Sequence, residues 1–181
     1  MSEIKRKKHE AQYPQLRSLW TAVFIDILGF SLLIPFLPFF RETFNASPFE
    51  ITLVLAVNAL FSFISGPILG KLSDKYGRKP LLLISQFGTL AGFLVLAFST
   101  KLWMVFLSRI IDGIFGGNYP ISKAVVADVV KPEDRAKQLT NIGILHVLAN
   151  IIGPALGAAL GRFGIIGPGL VASGLSIIMI L

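Results

Sequence analysis

The sequence predicts an all-α polytopic membrane protein, a bundle of six transmembrane helices. Composition is the first reason. Of 181 residues, 54% are hydrophobic and only 15% charged, and the mean hydropathy is +0.73. A soluble domain carries about 25% charge to wet its surface. The second reason is that the apolar residues gather into six long runs joined by short polar connectors. The third is that Lys and Arg crowd into alternate connectors. Together these exclude a disordered tail and a nucleic-acid-binding module, despite a net charge of +7, and they weigh against a soluble enzyme. With no Cys there is neither a disulfide scaffold nor a thiolate metal site.

A helix needs about 20 apolar residues to cross roughly 30 Å of hydrocarbon. The first such span, 19–40, follows a basic leader at 1–18. It is far longer than the ~7–15 apolar residues of a secretory signal, and no A-x-A-like site follows, so it reads as a retained span. It contains Asp26, a carboxyl placed where charge is expensive. No basic residue lies within a helical turn of it, so any partner comes from another span or from water. Proton carrier, substrate contact and structural tether are the three roles such a group can fill.

The second span, 51–70, carries Asn58, Ser62 and Ser65 as a weak polar stripe. The third, 81–99, carries the small-residue pair Gly88 and Gly92. The fourth, 102–121, holds Arg109 and Asp112, three residues apart and therefore on one helix face. They either neutralise each other or make a switchable pair that biases protonation nearby. The fifth, 140–161, places Gly143, His146, Asn150, Gly153 and Gly157 at spacings of 3, 4, 3 and 4, a single stripe of polar and small residues. Lipid cannot satisfy such a stripe, so it should face a cavity or another helix. His146 there either bonds to a neighbouring helix or relays protons. The sixth span, 165–181, ends in mid-helix without a polar flank, so the chain is expected to be truncated there. The expectation is a fragment of a longer transporter, unable to transport alone, with a half-size protein that dimerises as the other reading.

Small-xxx-small pairs at Gly66/Gly70, Gly88/Gly92, Gly113/Gly117 and Gly153/Gly157/Gly161 predict close helix packing. The leader and the even connectors hold 13 of the 17 basic residues, against one each in Arg41, Lys101 and Arg162 on the other side. By the positive-inside rule the N-terminus and even connectors face the cytoplasm of a cell membrane. The basic balance is thus topological, and the partner it implies is a lipid bilayer rather than nucleic acid. No phosphate loop, metal-ligand pair or nucleophile–base arrangement appears, so neither an enzyme nor a cofactor is expected.

At the second connector, Gly70-Lys71-Leu72-Ser73-Asp74-Lys75-Tyr76-Gly77-Arg78-Lys79-Pro80 resembles the signature of the major facilitator superfamily. Asp26, Gly29, Pro35 and Pro38 in the first span are similar to the drug/proton antiporter branch, especially the tetracycline/proton antiporters. So are Arg109 and Gly113 in the fourth, the turn from Asp128 to Arg135, and Gly153, Pro154 and Gly157 in the fifth. Asp112 stands where the branch usually has Gln, and Ala149 and Ala158 replace two of its glycines.

The resemblance implies the N-terminal six-helix repeat of an alternating-access transporter, energised by a proton gradient and exporting a drug-like or amphipathic small molecule. A sugar or metabolite uniporter or symporter, or a non-transporting membrane subunit, is the alternative. It implies proton coupling at Asp26 and Arg109, and a cytoplasmic gating connector of Gly70, Asp74, Gly77, Arg78 and Lys79. Asp112, Asn58, His146 and Asn150 are the further cavity candidates. A helix bend is implied at Gly153, Pro154 and Gly157, and a missing C-terminal half or a second copy of the chain as partner.

Overall fold

The computed structural model describes residues 15–116, 118–160, 163–164 and 166–180. Most of the basic leader, with Lys5, Arg6, Lys7 and Lys8, lies outside the described residues, as do Gly117, Gly161, Arg162 and the last residue of the sixth span. All regular structure among the described residues is helical. In order these are α1 (Gln15–Ser31), a 3-10 turn (Ile34–Phe36), α2 (Leu37–Phe44), α3 (Pro48–Tyr76), α4 (Arg78–Ala97), α5 (Leu102–Phe115), α6 (Asn118–Val129), α7 (Pro132–Leu160) and α8 (Ile166–Ile180). Among the described residues, four segments are long and apolar enough to cross a membrane: Leu19–Phe44, Pro48–Tyr76, Arg78–Ala97 and Pro132–Leu160. Ile166–Ile178 is a shorter apolar helix.

Two of the expected spans are broken. The first does not run unbroken from 19 to 40. It leaves α-geometry after Ser31, passes through the 3-10 turn and resumes as α2. Pro35 and Pro38 lie at the starts of these pieces, where a missing N–H is tolerated; inside one continuous helix each would remove a bond. The fourth span is likewise two helices, α5 and α6, parted near Gly116. Pro120 sits in the first turn of α6, the only part of a helix that accepts it without a kink.

Other boundaries shift outward. Ser47 caps α3 through a reciprocal pair, its hydroxyl accepting from the Glu50 N–H at 3.2 Å and its own N–H donating to Glu50 Oε2 at 2.8 Å. The supposed connector at 71–80 is mostly helix. Only Gly77, at φ +98° and ψ 150°, separates α3 from α4, a conformation open essentially to glycine alone. α7 begins at Pro132, eight residues before the expected start at 140.

Around the bundle, α1 packs between α7 and α8, α4 between α5 and α8, and α5 against α3. The short α6 touches α1, α3, α4 and α7. Close approach does what water would do elsewhere. A Cβ on Gly153 would strike Ser31, one on Gly157 the Leu32 carbonyl, and one on Gly88 the Phe115 ring. Gly66 and Gly70 depart from this expectation, because nothing lies within 4 Å of a Cβ there. They belong to the outward side of α3, where Phe63 is 81% exposed.

Candidate functional site

The polar residues of the spans converge on two places. The first is an open cavity of about 290 Å³. α1 contributes Asp26 and Phe30, α3 Asn58 and Ser62, α5 Asp112, α6 Tyr119, and α7 His146 and Asn150. Five of the six cavity candidates therefore meet. Arg109, the sixth, lies behind the wall at 2% exposure.

Arg109 Nη1 bonds Asp112 Oδ2 at 3.1 Å. Asn58 Nδ2 donates to the same carboxylate oxygen at 3.0 Å and to the Arg109 carbonyl at 3.2 Å, tying α3 to α5. The guanidinium also lies 5.6 Å from the Phe93 ring centre and donates from Nε to Ser108 Oγ at 3.3 Å. Glycine permits this crossing: a Cβ on Gly113 would stand 2.7 Å from the Asn58 carbonyl, and one on Gly92 only 3.0 Å from that of Ser108. A charge pair this deep survives because each member answers the other; alone, either would be an uncompensated charge.

Asp26 has no salt bridge among those described. Asp112 shares its cavity wall, and the Thr89 and Asn118 side chains approach its carboxyl without completing full hydrogen-bond geometry. Across the cavity, Tyr119 and His146 set their rings 5.5 Å apart, and Asn150 donates to the His146 carbonyl at 2.9 Å. Ser31 bonds the Ala149 carbonyl of α7 at 2.9 Å, pinning α1 beside the Gly153-Pro154 segment. The fifth-span stripe is thus divided: Gly153 meets Ser31 of α1 and Gly157 the Leu32 carbonyl just beyond it, His146 and Asn150 face the cavity, and a Cβ on Gly143 would meet nothing within 4 Å.

The second place is the α3–α4 junction. Arg78 pairs with Asp74 at 2.6 Å and with Asp128, at the end of α6, at 2.9 Å, and it donates to Ser73 Oγ. Lys79 is exposed. Sequence reasoning did not assign Thr89, Asn118, Ser31 or Asp128 to a site. Polar residues inside an apolar span were the available signal for the first three, and the acidic turn before α7 for the last. Among the described residues, no three His, Cys, Asp or Glu side chains gather as a metal-binding group.

Comparison with known proteins bears on the family and the fold. The family model described as Major Facilitator Superfamily matches residues 19–181. Tetracycline resistance protein class H of Pasteurella multocida is 39% identical over 140 residues, which cover 76% of this chain and 35% of that protein. The class B protein of Escherichia coli is 36% identical over 160 residues, 87% of this chain and 40% of that one. Among solved structures, the human organic anion transporter MFSD10 (TETRAN) superposes with a TM-score of 0.80 at 26% identity, covering 93% of this chain and 46% of that one. The chain spans about two fifths of the length of the curated relatives it matches.

Proposed function

The chain belongs to the Major Facilitator Superfamily, and we propose that it forms one six-helix bundle of a proton-coupled exporter of drug-like or amphipathic small molecules. One observation carries the reading: Asp26 lies on an open polar cavity inside an apolar bundle, beside but not within a neutralised Arg109–Asp112 pair. A carboxyl so placed can exchange a proton with cavity water while a solute occupies the same space. The similarity to tetracycline resistance proteins supports the class of solute.

In this reading the protein sits in the cell membrane with its N-terminus in the cytoplasm, as the distribution of Lys and Arg supports. A second six-helix bundle, from a C-terminal half or another copy, closes the cavity on the side of α3 and α7. Asp74, Arg78 and Asp128 hold the cytoplasmic end of α3, α4 and α6 together, and that network is the gate. The Gly153-Pro154 segment is where α7 flexes, because proline leaves one backbone carbonyl unbonded.

The test is solute-driven proton movement in everted vesicles carrying this bundle together with its second half. Asp26→Asn should abolish active export while leaving the protein in the membrane. Retained downhill flux with no proton movement in the unsubstituted protein would identify a uniporter instead.

A further inference from the structure

Five polar side chains outside the cavity remain unaccounted for. α4 carries Ser85, Gln86 and Thr89, and α6 carries Asn118 and Ser122 one turn apart. Each is at most 4% exposed, and none lines the open cavity. Thr89 and Asn118 converge on Asp26 from two different helices, and α6 touches both α1 and α4. Ser85 and Ser122 lie one turn further toward the Arg78 end. A turn beyond them, Leu82 and Val125 join the apolar cluster that holds Trp20.

Among the described residues, six atoms of this group complete no hydrogen bond, although Thr89 and Asn118 approach Asp26: Ser85 Oγ, Gln86 Nε2, Thr89 Oγ1, Ser122 Oγ and both terminal atoms of the Asn118 amide. Buried polar atoms are nearly always satisfied by protein or by ordered water, and so many orphans in one place point to a ligand. Its chemistry follows from the mixture. A cation would suit the hydroxyl and carbonyl oxygens but leave the Gln86 and Asn118 N–H groups facing positive charge. Water both donates and accepts, so it suits all six.

We propose a water-binding pocket behind Asp26, enclosed by Ser85, Gln86, Thr89, Asn118 and Ser122, which hydrates the carboxyl from the side away from the open cavity. Toward the Arg78 end it meets Leu82 and Val125, which pack against the same apolar cluster as Trp20, whose Nε1 also lacks a partner among the described residues. Other titratable groups around Asp26 lie elsewhere: Asp112 and Arg109 come from α5, and Tyr119 from α6 and His146 from α7 stand across the cavity. α8 contributes none. The pocket rests on the proton-exchange reading only for its use, which is to keep Asp26 in contact with water when a solute fills the cavity.

Millisecond X-ray radiolysis of the 181-residue chain in lipid nanodiscs, in H₂¹⁸O, oxidises side chains that stand beside bound water. Trp20 and Leu82 should be oxidised despite their packing. Ser85→Ala/Thr89→Val/Ser122→Ala should lower that oxidation about fivefold by removing three of the pocket's five polar residues, with exposed Trp103 and cavity-lining Tyr119 unchanged. Should the triple variant lose helicity, Ser122→Ala alone should give about a twofold drop at the same two residues. Absence of oxidation at Trp20 and Leu82, or oxidation indifferent to the substitutions, would overturn the pocket. That result would leave the exporter standing if Asp26→Asn still abolished export. Oxidation as expected beside an Asp26→Asn protein that still exports would keep the pocket and remove its proposed use.

Discussion

Arginine meets aspartate twice in this molecule, in opposite surroundings. Arg109 is buried among α3, α4 and α5 beside the Phe93 ring, and its partner Asp112 forms part of the cavity wall. Arg78 bridges Asp74 and Asp128 at the end of the bundle, where the two carboxylates are 63% and 53% exposed. The separations are alike and the energetics are not. Water screens the outer network, so its contribution to stability is small and its geometry can be exchanged at little cost. The inner pair has no such alternative, and separating it would bare a charge to hydrocarbon. Exposure, rather than distance, separates a part that can move from a part that holds.

The sharpest way to break the comparison is to remove half of the inner pair. Arg109→Leu should destabilise the chain by about 3–5 kcal/mol, read as thermal unfolding in detergent. Arg109→Leu/Asp112→Leu should recover most of the loss, since it leaves no orphan charge. If the double variant is no better than the single, the pair is not what holds α5 in place. Next in size is Asn58→Leu, which deletes two bonds to the pair and should cost about 1.5–3 kcal/mol by the same measurement.

At the outer network, Arg78→Ala should change stability by only about 0–1 kcal/mol. It should nevertheless loosen the junction, raising amide exchange in the last turns of α3 and α6. The smallest effect separates the two regions without mutation. Raising salt from low ionic strength to about 1 M shortens the screening length to ~3 Å, which should erase the Arg78→Ala difference in stability. The Arg109→Leu deficit should persist unchanged.

Much of this was legible in the sequence, and the limits are physical. Asp26, Asn58, Asp112, His146 and Asn150 share one cavity because charge and amide groups in an apolar span have nowhere else to go. The pairing of Arg109 with Asp112 follows from their spacing. The helix breaks were less legible, because a run of apolar residues has the same composition whether or not a proline divides it. Pro35 and Pro120 marked the divisions, but hydropathy outweighed them. Gly66 and Gly70 have the spacing of a packing seam and yet face outward, because spacing defines a stripe without saying what lies against it. Thr89 and Asn118 were passed over because a hydroxyl or an amide is cheap enough in a span to be ordinary. Their convergence on Asp26 exists only once α4 and α6 are folded together.

Gly77 turns α3 into α4 with a single residue between two helices of 29 and 20 residues. A joint that short stores no slack. Swinging one rod drags the other along, much as a folded ruler opens at its pin. The angle between the two rods is therefore set at one position, where any residue with a side chain would be strained.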